Sequence, residues 1–155
     1  MPLIYLDDLR LKAEICGPAN GPAVVLLHAL GTNLSIWDEV VDHLPPSLRI
    51  LRFDQRGHGA SDAPQPPYAM GALIRDAERM IEHFAIKDTV VVGLSLGGMV
   101  AQGLAVKRLD LVRGLVLSNT AAKIGTPELW AVRAAQVRET GLEAYADGAM
   151  ERMFG

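Results

Sequence analysis

Cysteine is almost missing from this sequence: Cys16 is the only one in 155 residues, so no disulfide can close within the chain. Met1 to Arg10 also lacks a basic segment followed by a long apolar stretch, so no secretory leader is read there and a cytoplasmic protein is expected. Long hydrophobic runs are absent. Ala23 to Leu27 and Val90 to Val92 fall far short of the roughly 18 apolar residues that mark a membrane span, and no membrane association is expected. Charge of one sign is nowhere concentrated. The 15 Lys and Arg are mixed with 18 Asp and Glu for a formal charge of −3, which gives a nucleic acid no basic surface. No zinc-type cluster, P-loop or G-x-G-x-x-G occurs, so neither a metal nor a nucleotide cofactor is expected.

What is present is apolar material for one buried core, since half the residues are hydrophobic. Leu3 to Leu6 and Leu11 to Cys16 flank Asp7-Asp8 and predict an antiparallel hairpin. After the Gly17 to Pro22 break, Ala23 to Leu27 reads as a central strand covered on both faces. Ile36 to His43 predicts a short helix stopped by Pro45-Pro46, and Leu48 to Phe53 resumes a strand. The Gly- and Pro-rich stretch Asp54 to Pro67 is a loop. Met70 to Phe84 is a helix with Leu73, Ala77, Met80 and Phe84 on one face and Arg75, Asp76, Glu78, Arg79 and Glu82 on the other. Thr89 to Leu94 is a buried strand, Ser95 to Lys107 a helix and Val112 to Ser118 a strand. This alternation predicts an α/β fold with a doubly wound, mostly parallel sheet over residues 1–120. Over residues 121–155 the strands cease, and helices Pro127 to Glu139 and Leu142 to Phe154, joined around Thr140-Gly141, read as the start of a helical cap.

The sharpest chemical signal is Gly93-Leu94-Ser95-Leu96-Gly97, a G-x-S-x-G between a buried strand and a helix. A nucleophile at so tight a turn needs neighbours without side chains, which Gly93, Gly97 and Gly98 supply. Ser95 then stands at the C-terminal edge of the sheet and at the positive end of a helix, two places that favour developing negative charge. Acyl attack also creates an oxyanion that must meet ready N–H donors. One is the backbone N–H of Leu96. The other comes from His28-Ala29-Leu30-Gly31 after the first central strand, with Leu30 preferred to Ala29. His28 reads as a residue that shapes this loop, and Asp54 to Ser61 as scaffold pinned by Asp54, Arg56 and Ser61. His58 precedes the serine, whereas this architecture orders nucleophile, acid, histidine, so it is read as structural.

On these residues the chain resembles the α/β-hydrolase superfamily and, within it, the 3-oxoadipate enol-lactonases of aromatic-compound degradation by the bacterial β-ketoadipate pathway. The narrower likeness rests on Gly93 to Gly98 and above all on Leu117-Ser118-Asn119-Thr120-Ala121-Ala122-Lys123-Ile124-Gly125-Thr126-Pro127. Ala29 departs mildly from the glycine many members carry, which leaves the Leu30 amide available. The resemblance implies hydrolysis of a small anionic lactone, 3-oxoadipate enol-lactone, to 3-oxoadipate without a cofactor. Ser95 would open the ring, Leu30 and Leu96 would hold the oxyanion, and Trp130 and Arg133 are the candidates to bind the substrate.

In that family the triad acid and histidine follow later strands, and no histidine follows His83 here. The fold is therefore expected to be incomplete on its C-terminal side, where Val112 to Ser118 would form an apolar edge. Asp and His are expected from a complementary C-terminal segment, either a second polypeptide or further residues of the same one, and the 155-residue chain alone is expected to be inactive. A broader carboxylesterase, a cofactor-free haloperoxidase-like hydrolase and a non-catalytic ligand-binding module of the same fold stand as alternatives.

Overall fold

The computed structural model describes residues 3–154, with side chains through residue 151. These residues form two compact units that divide between Ala122 and Lys123.

The first unit is built on six strands: β1 (Leu3–Leu6), β2 (Leu9–Cys16), β3 (Ala23–Leu27), β4 (Arg49–Phe53), β5 (Thr89–Leu94) and β6 (Val112–Ser118). Their spatial order is β1-β2-β4-β3-β5-β6. β2 pairs antiparallel with both β1 and β4, whereas β3, β4, β5 and β6 run parallel. The hairpin turns at Asp7, which takes a positive φ of 47°. β2 begins two residues earlier than its apolar run because the alternation Leu9, Leu11, Ala13 continues its buried face down to the turn.

Strand pleat explains why β3 and β4 carry continuous apolar runs. Val25, Leu27, Leu51, Phe53 and Val91 face α2 (Met70–His83) and α3 (Leu96–Lys107), where they meet Leu73, Ala77, Met80, Ile81, Val100, Ala101 and Leu104. Leu26 and Ile50 point the other way, to Trp37 and Val41 on a 3-10 turn (Leu34–Trp37) and the short helix α1 (Asp38–His43). The helix expected over Ile36 to His43 thus opens as a 3-10 turn, capped by Asn33, whose side chain accepts the Ser35 N–H. Each fully buried side chain such as Phe53 contributes about 1.5–3 kcal/mol.

The polar face assigned to α2 needs one correction. Asp76 is buried, 1 % exposed, rather than solvated. It lies three residues after Leu73 and four before Met80, on the stripe that faces the sheet, and it is retained there by an arginine partner.

β6 is the edge of the sheet, with Leu115, Val116 and Leu117 all exposed. The second unit holds α4 (Pro127–Phe154), two helical segments broken at Gly141, whose φ of 82° and ψ of 169° no helix accommodates. Among the described residues no helix is long and apolar enough to cross a membrane.

Candidate active site

β5 runs straight into α3, and the single residue between them is Ser95, at φ 52° and ψ −112°. L-residues rarely occupy this region, and holding one there costs about 1–3 kcal/mol. Close packing forces the corner. A Cβ at Gly93 would meet the Gly98 Cα at 2.5 Å, one at Gly97 would strike the Leu27 carbonyl, and one at Gly98 would meet the Thr120 methyl at 2.5 Å. Glycine is the only residue these three positions accept without movement of backbone or of Thr120.

The backbone of Ser95 is held on both sides. Its N–H donates to Ser118 O at 3.0 Å, and its carbonyl accepts from Gly98 N–H, Met99 N–H and the Thr120 hydroxyl. The Ser95 side chain is half-buried and does not cap α3. No hydrogen bond of its Oγ is found among the described residues. Leu96 follows as the first residue of α3, where an N–H has no intrahelical carbonyl to reach.

The register pairs Leu27 with Gly93, which sets the loop after β3 beside the Ser95 corner. His28 is fully buried at its start, and Leu30 is 43 % exposed two residues on. The Gln55 N–H donates to His28 Nε2 at 2.9 Å, so Nε2 is unprotonated and Nδ1 carries the hydrogen, which it donates to Ala29 O at 2.8 Å. Gln55 Nε2 returns a bond to His28 O at 2.8 Å. Burial pushes the His28 pKa down, partly offset by the bond to Ala29 O and reinforced by nearby His58, whose ring centroid lies 5.1 Å away. His28 therefore shapes the loop in its neutral form.

The 54–61 segment that supports it is pinned throughout. Asp54 accepts the Leu34 N–H at 2.8 Å and the Ala60 N–H at 2.9 Å, and the Ser61 hydroxyl donates to Asp54 O at 2.6 Å. Arg56 makes two bonds to the buried Asp76 carboxylate, at 2.5 and 2.7 Å, with its guanidinium 5.8 Å from the centre of the Tyr68 ring. The carboxylate raises the Arg56 pKa, so the arginine stays charged.

The structure thus brings Ser95, Leu96 and the Leu30 loop to one corner of the sheet. Trp130 and Arg133 lie on α4 in the second unit, where the Arg133 guanidinium sits 4.9 Å from the centre of the Trp130 ring and Trp130 Nε1–H donates to Ile124 O at 2.7 Å. His43 and His83 are exposed at helix ends. Sequence reasoning did not find Gln55, Asp76, Thr32 or Thr120. Only Asp76 left a signal, its spacing from Leu73 and Met80. Among the described residues no group of His, Cys, Asp and Glu is placed to hold a metal ion.

Comparison with known proteins agrees with this geometry. The profile of the alpha/beta hydrolase fold family matches residues 22–151. The chain is 36 % identical over 148 residues to 3-oxoadipate enol-lactonase 2 of Acinetobacter baylyi, covering 96 % of this chain and 55 % of that protein. 3-Oxoadipate enol-lactonase 1 of the same organism is 31 % identical, with 93 % and 54 % covered. The crystal structure of the enol-lactonase from Burkholderia xenovorans superimposes with a TM-score of 0.93 at 38 % identity, covering 97 % of this chain and 59 % of that one. The chain spans about half the length of the curated relatives it matches.

Proposed function

The chain belongs to the alpha/beta hydrolase fold family, and from that premise we propose that it is the nucleophile-bearing part of a carboxylic-ester hydrolase that opens 3-oxoadipate enol-lactone to 3-oxoadipate. The observation that carries the reading is Ser95, held in a strained corner with its hydroxyl unbonded and a helix N-terminus behind it. The choice of substrate rests on the likeness to named enol-lactonases.

In this mechanism Ser95 Oγ attacks the lactone carbonyl while a histidine takes its proton. The Leu30 and Leu96 N–H groups stabilise the tetrahedral oxyanion, the ring C–O bond breaks as the histidine passes the serine proton to the departing enol oxygen, and the enol, still tethered, tautomerises to the ketone. Water then attacks the acyl-enzyme, the same histidine accepting its proton and returning one to Ser95. The substrate carries a carboxylate, for which Arg133, with its guanidinium over the Trp130 ring, is the proposed cation. Residues 121–155 are read as the start of a cap.

None of the four histidines in this sequence lies after Ser95, and His28 is committed to its loop by both ring nitrogens. The histidine and acid are accordingly assigned to a complementary C-terminal segment, and the 155-residue chain without it is expected to be inactive. Exposed Leu115, Val116 and Leu117 on the β6 edge suit pairing with a further strand from that segment.

The test supplies the C-terminal half of the Acinetobacter baylyi enol-lactonase 2 in trans and follows loss of the enol-lactone beside a simple aryl ester. Lactone turnover that Ser95→Ala abolishes supports the proposal. Turnover of the aryl ester alone replaces it with a broader carboxylesterase, and an assembled but inert complex favours a non-catalytic binding module.

A further inference from the structure

An amide N–H and the carbonyl of the preceding residue belong to one planar unit, so hydrogen bonds received by that carbonyl both orient the N–H and polarise it. The Leu96 N–H belongs to the Ser95–Leu96 peptide. Ser95 O receives the Gly98 N–H at 3.0 Å, the Met99 N–H at 3.2 Å and the Thr120 hydroxyl at 2.7 Å. The Leu30 N–H belongs to the Ala29–Leu30 peptide. Ala29 O receives the Thr32 N–H at 3.3 Å, the Thr32 hydroxyl at 2.8 Å and the His28 Nδ1–H at 2.8 Å. A carbonyl has two lone pairs, and three donors saturate it.

The backbone donors are what any helix start or tight turn provides. The side-chain donors are additions. Thr120 lies two residues beyond the end of β6, 25 residues from Ser95 in sequence, and its methyl and Cβ fill the space over Gly98, which fixes the rotamer that aims its hydroxyl. The His28 donor is fixed by Gln55 at the opposite ring nitrogen. Two peptides from separate loops thus carry the same arrangement on the side away from the site.

We infer that Thr120 and Thr32 are positioning residues: from the carbonyl side their hydroxyls fix and polarise the two amides that meet the oxyanion. The catalytic meaning of this rests on the function proposed above, whereas its physical content rests on the hydrogen bonds alone. Loss of a whole oxyanion donor costs about 100- to 1,000-fold in rate, and one hydrogen bond polarises the next by about 10–30 %, so removing either hydroxyl lowers kcat about 1.5- to 8-fold. KM stays unchanged because the strengthened contact exists only in the transition state.

The test begins with amide spectra of the 15N-labelled 155-residue chain, which need no turnover. Thr120→Val moves the Leu96 amide upfield and leaves Leu30 in place, Thr32→Val does the reverse, and the two Ser variants restore both. A Leu96 resonance unmoved in folded Thr120→Val, or moved equally by Thr32→Val, overturns the inference. Should a Val variant fail to fold, the wild-type carbonyl 13C resonances of Ser95 and Ala29 decide: downfield of ordinary singly bonded carbonyls supports it, and ordinary positions overturn it. In the complemented enzyme, each Val variant then loses kcat at constant KM with rescue by Ser, and a KM effect alone overturns the positioning role. Absence of wild-type hydrolysis refutes the proposed function, while the amide shifts still decide the coupling.

Discussion

If Ser95 is strained for function, removing its Cβ stabilises the protein while removing only its hydroxyl does not. Ser95→Ala and Ser95→Gly both delete an Oγ that has no hydrogen-bond partner among the described residues. They differ in whether a Cβ must still sit at φ 52° and ψ −112°. Relief of the strain gains about 1–3 kcal/mol, and the added freedom of glycine in the unfolded chain takes back about 0.4–1 kcal/mol. Ser95→Gly is therefore more stable than Ser95→Ala by about 0.5–2 kcal/mol, and Ser95→Ala matches the wild type within about 0.5 kcal/mol. With an m-value of about 2 kcal/mol/M, the urea midpoint of Ser95→Gly lies about 0.3–1 M above that of Ser95→Ala. Only two tryptophans are present. In a Trp130→Phe background the fluorescence of buried Trp37 reports the core unit alone. A Ser95→Gly midpoint equal to or below that of Ser95→Ala refutes the strain, and with it the reason for reading the corner as functional.

Three further outcomes are expected. Asp76→Asn leaves the buried Arg56 guanidinium without its counter-ion and destabilises by about 3–5 kcal/mol, and Arg56→Met with Asp76→Leu costs much less, both read from urea midpoints. Because burial lowers the folded pKa of His28 below its ordinary 6.5, the unfolded chain binds more protons between those two values. Stability from this group is whole above pH 6.5 and declines as pH falls below it, and His28→Gln flattens that slope in urea melts between pH 5 and 7.5, with the range set by the ordinary histidine value of about 6.5. A charge on the β6 edge, Val116→Lys, blocks capture of the complementing C-terminal segment in a pull-down, whereas unchanged capture places that segment elsewhere.

The elements that position the site were legible because each wrote a local pattern. Ala23 to Leu27 and Thr89 to Leu94 are short apolar runs, Met70 to Phe84 keeps helical spacing, and the glycines at 93, 97 and 98 mark a corner where no side chain fits. What stayed hidden depends on partners distant in sequence. Thr120 bonding Ser95 O, Gln55 fixing the His28 tautomer and Arg56 drawing Asp76 into the core are pairings across 20 or more residues, about which periodicity is silent. Asp76 shows the limit most clearly: its spacing says buried, its charge says solvated, and only the arginine across the interface decides between them. The 3-10 start of the Ile36 to His43 helix was missed for a local reason, since Asn33 caps Ser35 and tightens the first turn.

The central claim is tested most directly by a fluorophosphonate probe added to the chain assembled with its complementing C-terminal segment, followed by peptide mass mapping. The probe adduct is expected on Ser95, on no other serine, and only when the segment is present. An adduct on another serine, or an assembly that turns over ester with Ser95 unlabelled, contradicts the assignment.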